Sequence, residues 1–236
     1  MACGFYGDTA SAGLLALNLA AAADAAIVFV NTIVIVRGAL GLSDGQVAIT
    51  LAAFGFGSMA TALTLPRILN RLADRTVMLI GAGVVIPPLL AATLALRGLE
   101  GNAPWYVILA LWPILGAGYA AVVTPSGRLL RRSALDADRP ALFAAQFALG
   151  HVCWLITYPL AGWLGAKSGF PTTLVVHAAL CGFAALLALR LWPAADPEVL
   201  EHSHPDLPAA HPHVQTSGIR HAHTFIIDSL HRRWPS

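Results

Sequence analysis

Apolar residues fill this chain in blocks and not in alternation. Six nearly uninterrupted stretches run from Leu14 to Val36, Val47 to Leu69, Val77 to Leu96, Trp105 to Thr124, Leu142 to Leu164 and Thr172 to Leu191. Each is about 20 residues long, the length that crosses a hydrocarbon core about 30 Å thick. Nearly all charged residues fall in the short islands between them. A membrane-spanning strand would need only about 10 residues with every second one apolar. These blocks are continuous and rich in alanine and leucine, so they predict an all-α membrane protein with six transmembrane helices. Pro87 and Pro88 interrupt the third block, Pro113 the fourth and Pro159 the fifth; each removes a backbone donor and predicts a kink. Small residues at Ala53, Gly57 and Thr61, and at Gly116 and Ala120, predict faces where helices approach closely.

Six spans put both termini on one side of the membrane. The second, fourth and sixth helices are followed by Arg67, Arg71 and Arg75, by Arg128, Arg131, Arg132 and Arg139, and by Arg190, whereas the opposite loops hold Arg37, Arg97 and Lys167. Eight basic residues against three predict that both termini face the cytoplasm of a multi-pass protein in the inner (cytoplasmic) membrane. Residues 1–13 are then a short cytoplasmic segment, 14–192 the six-helix domain and 193–236 a cytoplasmic tail. Met1 to Asp8 lacks a basic stretch and the first apolar block is too long for a signal-peptide core, so the amino terminus is expected to stay in the mature chain.

Composition agrees with this division. Of 236 residues 57% are hydrophobic and 11% charged, and the mean hydropathy is +0.70; a soluble domain would carry about 25% charged residues. A net charge of +2 with scattered arginines points to no nucleic-acid partner. Cys3, Cys153 and Cys181 form neither a CxxC pattern nor a disulfide framework, and the latter two read as small apolar fillers within spans.

The residue that most needs a reason is Asp24, an acid near the middle of the first span, where a carboxylate costs about 2.5 to 3.5 kcal/mol on insertion scales. It reads either as a group that takes and releases a proton or contacts substrate, or as a structural acid. Asn31, seven residues on, is expected on the same helical face. In the fifth helix, Gln146, His151, Trp154 and Tyr158 offer a polar and aromatic surface suited to a small organic ligand, with the last three spaced for one face. His177 and Cys181 lie one turn apart in the sixth helix, as a soft-metal pair or simply as packing.

The tail has another chemistry. Seven of the nine histidines lie in it, and three His-x-His pairs recur: His202 with His204, His211 with His213, and His221 with His223. In an extended segment alternate residues share a side, and neutral imidazoles suit a divalent transition metal such as Ni, Zn or Co. Without cysteine partners this is not a closed structural zinc site. The last residues, Phe225, Ile226, Ile227, Leu230 and Trp234 with Arg232 and Arg233, predict an amphipathic helix on the membrane surface or the bundle.

The loop after the second helix reads Asn70-Arg71-Leu72-Ala73-Asp74-Arg75-Thr76. It resembles the G-x-L-A-D-R-x-G signature of the major facilitator superfamily, with Leu72, Ala73, Asp74 and Arg75 matching and Asn70 and Val77 standing in place of the glycines. After the fifth helix, Gly162-Trp163-Leu164-Gly165-Ala166-Lys167-Ser168-Gly169 fits the frame G-x-L-x-x-x-x-G. The two frames lie three helices apart on opposite faces, as an inverted three-plus-three repeat requires. The resemblance covers about Leu14 to Trp192 and implies one half of a major-facilitator bundle, the carboxyl-terminal one. It also implies a gating role for Asp74, Arg75 and Arg71.

Such a half implies secondary active transport by alternating access, with proton coupling and a small-molecule or ion substrate. Its partners would be the lipid bilayer and either an amino-terminal six-helix half, encoded upstream or on another chain, or a second copy in a homodimer. The alternative is a metal-ion exporter, or a metal-binding membrane protein, that uses the histidine-rich tail. No resident cofactor is expected beyond such a metal. A cation diffusion facilitator would carry His-x-x-x-Asp on two helices, whereas Leu155 follows His151 and Cys181 follows His177 at that spacing. An intramembrane serine protease would carry G-x-S-G, whereas Ser58 lies in Phe56-Gly57-Ser58-Met59; the chain does not read as an enzyme.

Overall fold

A computed structural model of the chain describes residues 8–192, 199–203 and 220–224. Six helical segments in it are long and apolar enough to cross a membrane: Ser11–Asn31, Asp44–Leu69, Asp74–Gly98, Ala103–Arg132, Arg139–Ser168 and Phe170–Leu191. All six predicted spans are present. The first helix is α1 (Asp8–Ala26), continued by two π-helical stretches at Ile27–Asn31 and Val34–Ala39. It therefore starts before the expected Leu14. No proline or glycine marks the change to π geometry at Ile27. What the sequence offers there is a run of β-branched residues from Ile27 to Val36, which crowd an α-helical turn, and the wider π turns fall on that run.

Helix α2 (Asp44–Leu69) opens on a capping box. Ser43 Oγ accepts from the Gln46 backbone N–H at 3.4 Å, and Gln46 Oε1 accepts from the Ser43 N–H at 2.9 Å. The third span, expected as one helix, is two: α3 (Asp74–Val84) and α4 (Ile86–Gly98). Pro87 and Pro88 explain the break, since neither can donate to the preceding turn and both are tolerated at the start of a new helix. The remaining spans are α5 (Ala103–Arg132), α6 (Arg139–Ser168) and α7 (Phe170–Leu191). Helices α5 and α6 continue through Pro113, Pro125 and Pro159. α5 also runs past its expected end at Thr124, so the basic island after the fourth span is its last two turns. Gly169 separates α6 from α7 with φ +78°, a left-handed conformation that glycine adopts without a Cβ penalty.

The packing has the internal symmetry of two inverted three-helix units. The second span packs on the fourth and, correspondingly, the fifth packs on the first; the third packs on the fourth as the sixth packs on the first; and the third and sixth pack on each other. The chain is thus a six-helix bundle built as a three-plus-three repeat. Two large cores and a small one around Val36, Val47 and Trp105 fill it. One gathers Leu14, Leu17, Met78, Leu129, Leu130 and Trp192 near the LADR end, and the other Ile27, Phe54, Leu89, Ile108, Trp112 and Leu174 further along. Indole N–H groups inside are satisfied locally, Trp112 Nε1 donating to Thr32 Oγ1 at 2.9 Å and Trp105 Nε1 to Thr50 Oγ1 at 3.0 Å.

The outward faces stay apolar: Phe56, Leu63, Leu94, Phe147, Leu155 and Leu186 are all more than half exposed. In a soluble protein such a surface would aggregate; here it matches lipid or another bundle. The all-helical fold applies to the spans. In the tail, β1 (Val199–Ser203) and β2 (Arg220–Thr224) pair antiparallel, with Glu201 bidentate to Arg220 at 2.8 and 3.1 Å. His204, His211, His213, His231 and the predicted amphipathic end lie outside the described residues.

Candidate functional site

Two polar constellations stand out in this apolar bundle, one at the LADR end and one mid-span. At the LADR end Asp74 is the first residue of α3, where a carboxylate meets the positive end of the helix dipole. It is fully buried. Arg128 Nε approaches its two oxygens at 3.2 and 3.3 Å, and Arg132 Nη1 lies 3.7 Å from Oδ2. The two arginines are one turn apart on α5, so they reach the acid from the same helix face. Arg75 does a different job: its Nε donates to the Trp192 carbonyl at 3.0 Å, tying the start of α3 to the end of α7. Arg71 is exposed and makes no side-chain bond or ion pair among the described residues. Of the three residues expected in the gate, Asp74 and Arg75 are engaged and Arg71 is not.

At mid-span, Asp24 is fully buried and neither carboxylate oxygen has a hydrogen-bond partner among the described residues. Nearby polar groups are occupied elsewhere. Thr157 Oγ1 donates to the Ala22 carbonyl at 3.1 Å, and Cys181 Sγ donates to the Ala20 carbonyl at 3.5 Å. Tyr119 and Cys181 lie within electrostatic reach of Asp24. Among the described residues no lysine or arginine is buried beside it; the arginines and the lysine of the six spans sit toward helix ends.

Asn31 does not accompany Asp24 on an open face. It is 2% exposed and its Nδ2 donates to the Ala161 carbonyl on α6 at 3.4 Å. A π turn holds an extra residue, so the stretch beginning at Ile27 rotates Asn31 away from where a regular helix would set it. Gln146 is half-buried with no side-chain bond among the described residues. His151 is exposed; its Nδ1 lies 2.8 Å from the Phe147 carbonyl and its ring 4.0 Å from that of Phe147. Trp154 and Tyr158 pack together with centroids 4.8 Å apart.

Those two rings belong to a belt that crosses four spans. Trp154 stacks on Phe29 at 6.2 Å, Phe29 meets Phe54 edge-on at 5.6 Å, and Phe54 lies 5.8 Å from Tyr119. The first, second, fourth and fifth spans each contribute. His177, the other mid-span base, is fully buried with its Nδ1 2.9 Å from the Thr173 carbonyl and its Nε2 without a hydrogen-bond partner among the described residues. Among the described residues no three His, Cys, Asp or Glu side chains converge as metal ligands.

The family model of the Major Facilitator Superfamily matches residues 13–227, most of the chain. The chain belongs to the Major Facilitator Superfamily. No curated protein and no solved structure matches it. Membership identifies the six-helix bundle as a transporter of that superfamily and its apolar helices as those of a multi-pass membrane protein. Its length fits a half-sized, six-helix domain of the superfamily.

Sequence reasoning missed Arg128 and Arg132 as partners of Asp74, although a helix extended past Thr124 would have put both on one face. It also missed Phe29, Phe54 and Tyr119, because an aromatic inside an apolar block carries no local mark. Their significance lies in contacts between residues far apart in the chain.

Proposed function

We propose that this superfamily member is one six-helix half of a proton-coupled secondary transporter for a small solute, working by alternating access in the inner membrane with both termini cytoplasmic. The second wall of the cavity comes from a complementary half or from a second copy of the chain. The observation that carries the reading is Asp24, buried at mid-span with both oxygens unbonded. A group so placed is destabilised when charged and hydrated only when the cavity opens; it gains a proton on one side and releases it on the other. Asp74, held by Arg128 and Arg132, closes the LADR end in the present conformation and separates from them in the other.

The test is Asp24→Asn, which keeps the shape of the side chain and removes its titration. In membrane vesicles from cells that express the chain, uptake of a solute against its gradient under an imposed proton gradient should be lost. Downhill exchange of the same solute should persist. Concentrative uptake by the substituted protein would remove Asp24 from the coupling step.

A second reading rests on the tail. The β1–β2 register sets His202 opposite His221, with His223 two positions along the same strand, so histidines distant in sequence are brought into neighbouring positions. We propose that the tail binds a divalent transition metal there, as a local metal buffer or as the collecting arm of a metal exporter. Calorimetry on the full chain in detergent should show Zn or Ni binding at neutral pH. Binding should weaken as the pH falls through the imidazole value near 6.5, since protonated rings cannot ligate. His202→Ala with His221→Ala should remove it. Unchanged heat of binding in that variant would place the metal elsewhere.

A further inference from the structure

The second and third spans are joined by the LADR turn, yet α2 and α3 each pack on α5 and scarcely on each other. The gap between them is an apolar groove with α5 as its floor. Leu65 and Ile68 form one wall and Val77 and Ile80 the other, while Ala117 and Ala121 at the base are too short to fill it. It is open on its outer side, where Ile68, Ile80 and Val84 are more than a third exposed. Its volume of 230 Å³ is below the roughly 300–1,000 Å³ of a pocket that encloses a compact ligand. Its length is considerable for that volume. The α2 wall from Thr61 to Leu72 covers about 16 Å, close to one leaflet, which is half of a hydrocarbon core about 30 Å thick. A narrow, open, apolar slot of that length takes a single acyl chain.

Charge at the mouth decides which lipid. Arg67 and Arg71 directly precede Ile68 and Leu72, which line the groove. Both arginines are exposed, and neither makes a side-chain hydrogen bond or ion pair among the described residues. Asp74, the acid of this turn, is buried and taken by Arg128 and Arg132. An arginine stem lies along apolar surface while its guanidinium stays at the interface, where it matches a phosphate. The acyl chain gains little by leaving other lipid for the groove, because both surroundings are apolar. The headgroup therefore supplies the preference, and the groove fixes where the chain lies. We infer that the groove between α2 and α3 binds one anionic phospholipid, its phosphate held by Arg67 and Arg71 and one acyl chain laid over Ala117 and Ala121. The site stands whatever solute the bundle carries. With both termini cytoplasmic, as proposed, the lipid comes from the leaflet richer in anionic headgroups. Its chain joins two helices that otherwise meet mainly through α5, so it should stiffen this end of the bundle.

Native mass spectrometry of the full chain in detergent, titrated with palmitoyl-oleoyl phosphatidylglycerol or with the phosphatidylcholine of the same chains, reads the site. One phosphatidylglycerol should be retained saturably, and phosphatidylcholine about ten-fold more weakly. One arginine near a membrane surface changes the affinity for anionic lipid about five-fold, so Arg71→Gln should weaken retention by about that factor. Arg190→Gln is the control for charge: it removes a cation from α7, which does not line the groove, and should leave retention nearly unchanged. Ile80→Trp, at a rim position 53% exposed, carries an indole across the slot and should displace the lipid. Leu94→Trp, at a position 70% exposed on α4 away from the groove, should not. Phosphatidylglycerol should also raise the thermal midpoint of the unmodified protein more than phosphatidylcholine does, and that advantage should vanish when Arg67→Gln and Arg71→Gln are combined. Glycerol 3-phosphate, which has the phosphate and no acyl chain, should not displace the lipid. Equal retention of the two lipids would overturn the inference, as would equal effects of Arg71→Gln and Arg190→Gln, or of Ile80→Trp and Leu94→Trp, in monodisperse protein. Displacement by glycerol 3-phosphate would also overturn it, leaving an anion site in which the groove takes no part.

Discussion

Gly116→Leu is expected to abolish recovery of folded, monodisperse protein. Gly116 on α5 faces α2 so closely that a Cβ would overlap the Phe54 carbonyl and come within 2.9 Å of the Ser58 backbone nitrogen. Gly57 on α2 is its counterpart, where a Cβ would overlap the Pro113 carbonyl. Both obstacles are backbone, which cannot step aside as a flexible side chain can. Overpacking costs about 1–3 kcal/mol, occasionally more, even where side chains can yield. Here the helices must separate, and their separation also opens the core around Phe54, Trp112 and Leu115. The alanine variants should already lower the midpoint of thermal unfolding in detergent. Gly55→Ala supplies the contrast, because a Cβ there meets nothing within 4 Å and alanine favours helix by up to about 1 kcal/mol. A Gly116→Ala protein that melts no lower than the Gly55→Ala protein would show that this close contact is not what holds α2 to α5.

These glycines were legible as small-residue faces, and so were all six spans, because continuous apolar blocks of one length leave little else to form in a bilayer. The break between α3 and α4 was written in Pro87 and Pro88, although one kinked helix was expected. The π-helical stretches were not legible, since Ile27 to Val36 satisfies the apolar pattern of an α-helix equally well. That failure left the rotation of Asn31, and with it the bond to Ala161, unread. Asp24 was conspicuous because an acid breaks an apolar run; the ring contacts of Phe29, Phe54 and Tyr119 were hidden for the opposite reason. At the LADR end, placing the close of the fourth helix at Thr124 made Arg128 and Arg132 look like markers of orientation. Two further turns of helix turn the same residues into partners of Asp74.

That partnership predicts an unequal response to mutation. Asp74→Leu removes the charge that faces Arg132, whose side chain is only 7% exposed, and so breaks a buried ion pair from one side, at a cost of up to about 3–5 kcal/mol. Arg128 is 42% exposed, so water screens much of its share and Arg128→Gln should cost under about 1 kcal/mol. If the cost of Asp74→Leu is mainly the broken pair with Arg132, adding Arg132→Met should recover most of it, because a buried ion pair exchanges for apolar residues at little net loss. The recovery should stay incomplete, since Asp74 also meets the dipole at the start of α3. Thermal unfolding of the two single and one double variant measures the coupling directly. A double variant as unstable as Asp74→Leu alone would mean that Asp74 stabilises α3 and not Arg132. The same cycle bears on gating. A buried ion pair this expensive to break cannot simply come apart, so the open state must offer Asp74 and Arg132 water or new partners. In the double variant, where no ion pair remains to be rehydrated, a cysteine introduced at the exposed position Ala73 should react with a water-soluble maleimide faster than in the unmodified background. Equal rates would show that the ion pair does not hold this end closed.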